Sequence, residues 1–426
     1  MARYEQYKDS GIHWLGYIPI HWQVCKIKRL CNSVYAGGTP SSNQPKYWNG
    51  NIPWIPSGCC HDCNIDSAPA YITQLGYNNS STKYIPANTA IMAMTGATCS
   101  QVGYLTFKAC ANQSVVAYNV NKSKLHSRFV FYLLQSMRGY ILTFQTGGAQ
   151  GGINVNDCRN LIIPHIPLDE QEAMAAYLDS EVSKIDEAIK QQQKMIELLN
   201  ERRQIIISEA VTKGLNPDVK KANNNVEEIG LIPEHWLLRK FKRVAKVQAN
   251  LVSPKRYSDL PQVAPENIEK GTGKLLEYTT VSESGVISDN HLFHAGQIIY
   301  SKIRPSLNKL IIAPFDGLCS ADMYPITTSM NVRFLYYYML SKHFVSQVNK
   351  VVMDRVKMPK INKEELSLIY VPVPPVNEQE RIIKYLDNKL EYIDKAIAKC
   401  KNTTNMLSER KRIIINDVVT GKVKVS

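Results

Sequence analysis

Residues 169–213, DEQEAMAAYLDSEVSKIDEAIKQQQKMIELLNERRQIIISEAVTK, run for 45 positions without a proline or glycine. Apolar side chains return at alternating steps of four and three, at Leu178, Val182, Ile185, Ile189, Ile196, Leu199, Ile206 and Ala210. That spacing places them on one stripe of a helix, as needed for lying along another helix. The pattern returns 208 residues later in residues 377–420, where Leu386, Leu390, Ile393, Ile397, Cys400, Leu407, Ile414 and Val418 hold the matching positions. Two long helices with the same stripe are expected to be each other's partner. Arg203 and Lys411 fall at equivalent seam positions near the helix ends, where a buried unpaired charge is costly. The expectation is that they snorkel to solvent; the alternative is that they mark an opening of the bundle toward partner helices.

The two copies agree beyond the stripe. Glu170-Gln171-Glu172 returns as Glu378-Gln379-Glu380, Tyr177-Leu178-Asp179 as Tyr385-Leu386-Asp387, Glu201-Arg202 as Glu409-Arg410, and the isoleucines 205–207 as 413–415. Upstream of each half stands a second repeated block, Gly16-Tyr17-Ile18-Pro19-Ile20-His21-Trp22 against Gly230-Leu231-Ile232-Pro233-Glu234-His235-Trp236. An internal repeat of this kind decides the architecture: two half-molecules, each an irregular domain followed by a long helix. The second block directly follows the first helix, so the first block should sit after the second helix in space, making the chain pseudo-circular with neighbouring termini. His21 and His235, each beside a tryptophan, read as packing and hydrogen-bonding residues rather than general bases.

The formal charge is +14, and its location matters more than its size. The two helical runs hold 17 acidic and 15 basic residues, which leaves 36 basic against 20 acidic for the rest. The positive excess therefore belongs to the irregular domains, where a polyanion could lie. The 426 residues suffice for two sizeable cores. No apolar run approaches the roughly 20 residues of a membrane span, and MARYEQYKDS lacks a signal-peptide core, so a cytoplasmic protein is expected. The ten cysteines do not form a secreted disulfide pattern. Cys59, Cys60, His61 and Cys63 cluster without a second pair at zinc spacing and read as reduced loop thiols, with no metal expected.

Residues 23–163 break into short apolar runs separated by Gly, Pro, Asn and Ser, the mark of a mixed domain rich in strands and loops. Four loop clusters stand out: residues 37–42, 54–58, 95–101 and 147–154. Their Thr39, Ser41, Ser42, Ser57, Thr95, Thr98, Gln101, Gln150 and Asn154 can offer donors and acceptors to base edges, while the glycines let backbone approach phosphate. Turn chemistry without a ligand is the plainer reading of any single loop. A short helix is expected over residues 127–138. Pro164 and Pro167 close the domain, early acidic residues suit the start of the long helix, and Gly214 and Pro217 end it. Residues 237–371 match in size but diverge in sequence, keeping Ile361-Asn362 for Ile153-Asn154 and Pro372 and Pro375 for Pro164 and Pro167. Their loops are more basic, with Lys302, Arg304, Asn308 and Lys309 around Pro305, and Arg355, Lys357 and Lys360 near Pro359. One frame carrying two different inserts suggests that each insert reads something different.

Catalytic signatures fail. Gly271-Thr272-Gly273-Lys274-Leu275 has neither Walker spacing nor the hydroxyl that holds magnesium. There is no GxGxxG fingerprint, no Asn-Pro-Pro-aromatic run and no defensible pair of carboxylates at strand ends. The sequence reads as a recogniser without an active site of its own.

The doubled GxIPxHW block, the doubled proline-to-EQE entry into a helix ending in SER or NER, and the strings GGTPS and YWNGNIPWI resemble the specificity (S) subunits of type I restriction-modification systems. In the second domain Pro265-Glu266-Asn267-Ile268-Glu269, Ile299-Tyr300-Ser301-Lys302-Ile303-Arg304-Pro305 and Cys319-Ser320-Ala321-Asp322 resemble another class of that family's recognition domains. Gly58-Cys59-Cys60 departs from the acidic residue that relatives often carry after the glycine. The resemblance covers essentially the whole chain. It implies an α+β fold in which two mixed α/β target-recognition domains are separated by two long helices forming an antiparallel coiled coil, with an internal pseudo-two-fold repeat. The segments are then a repeat block at 1–22, a first recognition domain at 23–163, a first long helix at 164–213, a linker and repeat block at 214–236, a second domain at 237–371, a second helix at 372–420 and a tail at 421–426. Each domain is expected to read one half of a split site in double-stranded DNA, with the helices as a ruler of roughly 66 Å. The resemblance further implies methyltransferase (modification) subunits, two of them, and motor-nuclease (restriction) subunits. S-adenosylmethionine and ATP with magnesium belong to those partners, and no cofactor is expected on this chain. A coiled-coil scaffold bridging protein partners is the rival reading from another class; an enzyme with an unrecognised site is a third.

Overall fold

The computed structural model describes residues 2–147, 151–355 and 359–425. It divides into two compact units, one made of Met1–Gln192 with Asn402–Ser426 and the other of Gln193–Lys401. In the first unit a hairpin pairs Tyr7–Asp9 with Tyr17–Pro19, and Gln23–Lys26 pairs antiparallel with Ile162–His165, so the segments entering and leaving the domain are stitched together. Between them stands a five-stranded sheet in the order Cys31–Ala36, Val115–Val120, Thr89–Ala93, Val102–Leu105, Cys63–Ile65. A smaller sheet orders Cys110–Ala111, Trp48–Ile55 and Ala70–Ile72. The helix Ser127–Ser136 buries Phe129, Val130, Phe131, Tyr132, Leu133 and Leu134.

The second unit is built the same way. Its hairpin pairs Lys221–Asn223 with Leu231–Pro233, and Leu237–Lys240 pairs with Tyr370–Val373. The sheet Ala245–Val247, Met323–Thr328, Ile298–Ser301, Leu310–Ile312 repeats the order of the first four strands of its counterpart. The other sheet differs, with five strands in the order Leu251–Val252, Asn290–Phe293, Gly317–Cys319, Pro261–Val263, Thr279–Thr280. A common frame thus carries a divergent sheet.

The long helices run over Leu168–Lys213 and Val376–Val419. None of the stripe residues is exposed, but Ile189, Ile196, Leu199, Ile206, Leu390, Cys400, Leu407 and Ile414 are only partly buried, as a seam between two helices allows. In the first unit Lys411 Nζ lies 2.7 Å from Asp186 Oδ1, and in the second Arg203 pairs with Asp394. Asp186 and Asp394 are repeat equivalents, as are Arg203 and Lys411. Each unit therefore pairs the same two repeat positions across its own stretches of the two helices. This corrects the expectation of snorkelling: each seam cation meets a carboxylate supplied by the other helix, which periodicity within one helix does not reveal. With Asp394 60% and Asp186 50% exposed, such pairs contribute about 1 kcal/mol or less and act mainly on register.

Each helix ends on a glycine in the left-handed region, Gly214 at φ 71° and Gly421 at φ 74°. A Cβ on Gly421 would lie 2.7 Å from the Trp22 ring and one on Gly214 3.2 Å from Trp236, so the chain turns directly beneath the repeated tryptophan. Tyr7 donates to the Gly421 carbonyl at 3.0 Å and Ala2 bridges to Lys424, which places the N-terminal block after the second helix.

The repeated Glu-Gln pair at each helix start explains the rest of the motif. Glu170 receives Trp22 Nε1 at 3.2 Å and Tyr4 Oη at 2.8 Å, with His21 Nε2 2.6 Å away; Glu378 receives Trp236 Nε1 at 2.9 Å with His235 Nε2 at 2.6 Å. Burial opposes ionisation of Glu378, yet those hydrogen bonds hold its carboxyl below the usual carboxylate range. Gln171 and Gln379 are buried amides. Gln171 accepts from the His126 N–H at 2.8 Å and donates to the carbonyls of Ile166 at 2.7 Å and Lys124 at 3.1 Å. Gln379 accepts from the Asn331 N–H and donates to the Pro374 carbonyl. About two turns further, Asp179 takes Arg128 and Tyr132, and Asp387 takes Arg333 and Tyr337. Replacing Gln171 with leucine strands three backbone groups, and the cost should be about 2–4 kcal/mol. The urea midpoint of Gln171→Leu is expected to fall accordingly; an unchanged midpoint would contradict this role. Among the described residues no helix is long and apolar enough to cross a membrane.

Candidate nucleic-acid interface

The first domain's four loops form two neighbourhoods joined by one turn. Gly37 and Gly38 press against backbone, where a Cβ would stand 2.1 Å from Ala111 O and 2.4 Å from Thr82 N. Trp54 Nε1 donates to Gly38 O at 3.0 Å, Trp48 Nε1 donates to Ser41 O at 3.2 Å, and the two rings meet edge to face at 5.1 Å. This fixes Thr39, Ser41 and Ser42 as an exposed ridge, with the Thr39 hydroxyl bonded to the Gln113 amide. Thr95, Thr98 and Gln101 lie on the turn between Thr89–Ala93 and Val102–Leu105. That turn is bridged from Thr95 to Gly152 and reinforced by the Ile153 N–H on Met94 O at 2.8 Å. Ser57 opens the short turn Ser57–Cys59, and the following loop brings His61 Nδ1 to 3.0 Å from Gln101 Oε1. Residues 112–114 link the neighbourhoods: Gln113 touches Thr39, and Ser114 O accepts the Met94 N–H at 2.8 Å.

In the second domain the two basic loops come together. Ile303 bridges to Lys360, the Arg304 N–H donates to Pro359 O at 2.7 Å, and the Ile361 N–H donates to Lys302 O at 3.0 Å. The turn at residues 302–309 is the counterpart of the turn at 94–101. The Ser301 N–H to Lys309 O bond corresponds to Ala93 N–H to Gln101 O, the Leu307 N–H to Arg304 O bond to Cys99 N–H to Gly96 O, and the Ile303 to Lys360 bridge to Thr95 to Gly152. Left-handed backbone recurs at Gly96 and Arg304 and again at Ser100 and Asn308. Ser100 and Asn308 also share a buried side-chain oxygen without a hydrogen-bond partner. Two loops of unrelated sequence thus occupy one place in the repeated frame.

Several expected contacts are occupied by the fold. Asn308 is 5% exposed and donates its amide to the Met339 and Leu340 carbonyls, a correction to its expected place on a ligand-facing surface. Asn154 caps the helix Val155–Asn160 by accepting the Asp157 N–H, as Asn362 caps Lys363–Leu368, so the repeated Ile-Asn pair is a capping signal. Lys302 Nζ donates to Ala321 O and Lys309 Nζ to Pro265 O, both at 2.7 Å, and these two ammonium groups are thereby turned inward. Arg355 pairs with Glu365 and holds that carboxyl below its usual range. Arg304 and Lys360 are exposed. Gln150 and Lys357 lie outside the described residues.

Gln113 carries no sequence motif, and His61 reads in the sequence only as part of a cysteine cluster; their contacts with Thr39 and Gln101 come from turns. Sequence reasoning missed Lys83 and Lys108, which lie over the rings of Tyr35 and Tyr84 at 5.7 and 4.0 Å and add an exposed cationic and aromatic face to the first domain. Cys60 is buried, and burial pushes its thiol up to about 12; among the described residues no group of three or more His, Cys, Asp or Glu is placed to hold a metal ion.

A family model described as the type I restriction modification DNA specificity domain matches residues 19–198 and again 233–402. The type I restriction enzyme EcoDI specificity subunit of Escherichia coli is 31% identical over 312 residues, covering 68% of this chain and 70% of that one. The MjaVIII specificity subunit of Methanocaldococcus jannaschii is 23% identical over 446 residues, covering 100% of this chain and 98% of that one. A solved structure from work on complex assembly and conformational transition of the type I R-M system shares the fold, with a TM-score of 0.70 at 15% identity over 95% of this chain and 99% of that one. The two family matches fall on the two halves of the repeat, and the chain belongs to the specificity subunits of type I restriction-modification systems.

Proposed function

We propose that each recognition domain reads one half of a bipartite sequence in double-stranded DNA and that the long helices set the length of the gap between the halves. The observation that carries this reading is the recurrence of one frame with unlike loops at the same place: hydroxyl and amide groups on residues 94–101, basic groups on residues 302–309. The excess of basic residues outside the helices favours a polyanion, and phosphate contacts make the binding steeply salt-dependent. The first helix passes from residues of one unit into residues of the other without a break, so its length is the natural determinant of a fixed gap.

In this reading the chain performs no chemistry. Methyl transfer comes from two modification subunits carrying S-adenosylmethionine, and cleavage from restriction subunits using ATP and magnesium, in the cytoplasm. Equivalent apolar pairs on the two helices support one modification subunit per repeat. Leu198 and Ile205 are 47% and 52% exposed, and their counterparts Met406 and Ile413 are 65% and 48% exposed.

Two experiments test the reading. Exchanging residues 23–163 for the corresponding domain of a relative should change one half of the methylated sequence and leave the other intact; a change in both halves, or in neither, would contradict modular reading. Removing one heptad from both long helices in step should shorten the gap while preserving both half-sites, as read by methylation of duplexes with varied gaps. An unaltered gap would refute the ruler.

A further inference from the structure

Seven described residues other than glycine have positive φ, and six of them are Asn, Asp or Ser, whose short polar side chains tolerate that region. The seventh is Arg304, at φ 44° and ψ 57°. It also precedes Pro305, whose ring disfavours helical backbone in the residue before it. The first domain solves the same turn with Gly96 at φ 71°, the residue for which this conformation carries no Cβ penalty. A long side chain is therefore retained in the second domain where the frame itself is satisfied by none.

The surroundings of Arg304 narrow what it is for. Lys302 and Lys309 are turned onto carbonyls and Arg355 onto Glu365, while the exposed Arg304 guanidinium has no hydrogen bond or ion pair among the described residues. A phosphate could be met by any exposed lysine, such as Lys360, without strained backbone. What an arginine adds is a planar fork that matches two acceptors on one edge. Building on the proposed bipartite reading, we propose that Arg304 is a specificity-determining residue of the second half-site and takes O6 and N7 of a guanine in the major groove. The first domain, with Gly96 at the equivalent point, has no such reader there and relies on its neighbouring hydroxyl and amide groups.

The test uses the full chain in complex with its modification subunits, with Arg304→Gly, Arg304→Ala and Arg304→Lys, against duplexes carrying each single-base change in both half-sites. Arg304→Gly should raise the unfolding temperature by about 2–4 °C, because the left-handed strain is relieved. The same variant should bind the cognate duplex about 5- to 150-fold more weakly and lose discrimination at one G·C pair of the second half-site, leaving preferences in the first half untouched. Arg304→Ala should show the same loss of discrimination, and Arg304→Lys should not restore it. Uniform weakening across all sequences with a shallower salt dependence would show a phosphate contact and overturn the proposal. Unchanged discrimination, or a lower unfolding temperature in Arg304→Gly, would overturn it as well. A wild-type complex without any bipartite preference would instead overturn the underlying function, and that outcome is visible before any variant is made.

Discussion

At the start of each long helix, a glutamate and a glutamine bind the recognition domain and the repeated block of their own unit to the helix. Glu170 gathers a tryptophan, a tyrosine and a histidine from the N-terminal block, and Gln171 closes three backbone hydrogen bonds of the domain. Glu378 and Gln379 repeat the arrangement with His235, Trp236, Asn331 and Pro374. Hydrogen bonds to a charged acceptor are worth about 1.5–3 kcal/mol each, and a buried group left unmade costs a similar amount. Two adjacent side chains therefore fix how each domain is mounted on its helix. Asp179 and Asp387, one helical stretch further on, add an arginine and a tyrosine apiece to the same mounting.

A mounting this specific leaves the second sheet and the loops of each domain free to vary. The four-stranded part of the main sheet keeps its order in both units, while the second sheet has three strands in one and five in the other. The turn after the central strand is held in both units by the same backbone bonds, yet it carries exposed Thr95 and Ala97 in one and exposed Arg304 and Ser306 in the other. Backbone geometry, not side-chain identity, is what the duplication has preserved at that turn. The contrast between Gly96 and Arg304 shows a side chain added against the backbone's preference.

The stripe, the repeated blocks and the order of half-molecules were legible because they depend on periodicity and on residue identity at fixed offsets. A packing and hydrogen-bonding role for His21 and His235 is readable from the adjacent tryptophans, whereas their partner, the first glutamate of the repeated EQE, is not. Arg203 and Lys411 read as snorkelling in the sequence because their partners, Asp394 and Asp186, come from the opposite helix and only the interhelical register reveals them. Asn308 reads as exposed because it is a polar residue in a basic, proline-containing loop, whereas its left-handed backbone turns the amide under the loop onto two carbonyls. Lys302 and Lys309 show the same limit, since composition counts a cation without saying where its ammonium points. The equivalence of residues 94–101 and 302–309 follows the same 208-residue offset as Ile153-Asn154 and Ile361-Asn362, but no shared motif marks it, because it is carried by backbone hydrogen bonds.

The central claim is that one frame holds two unlike readers at a set distance. Mapping every methylated position in DNA exposed to the complex built on this chain tests it most directly. The account requires a motif with two different defined halves separated by an undefined gap of constant length. A single continuous motif, two identical halves, or a gap that varies from site to site would contradict it.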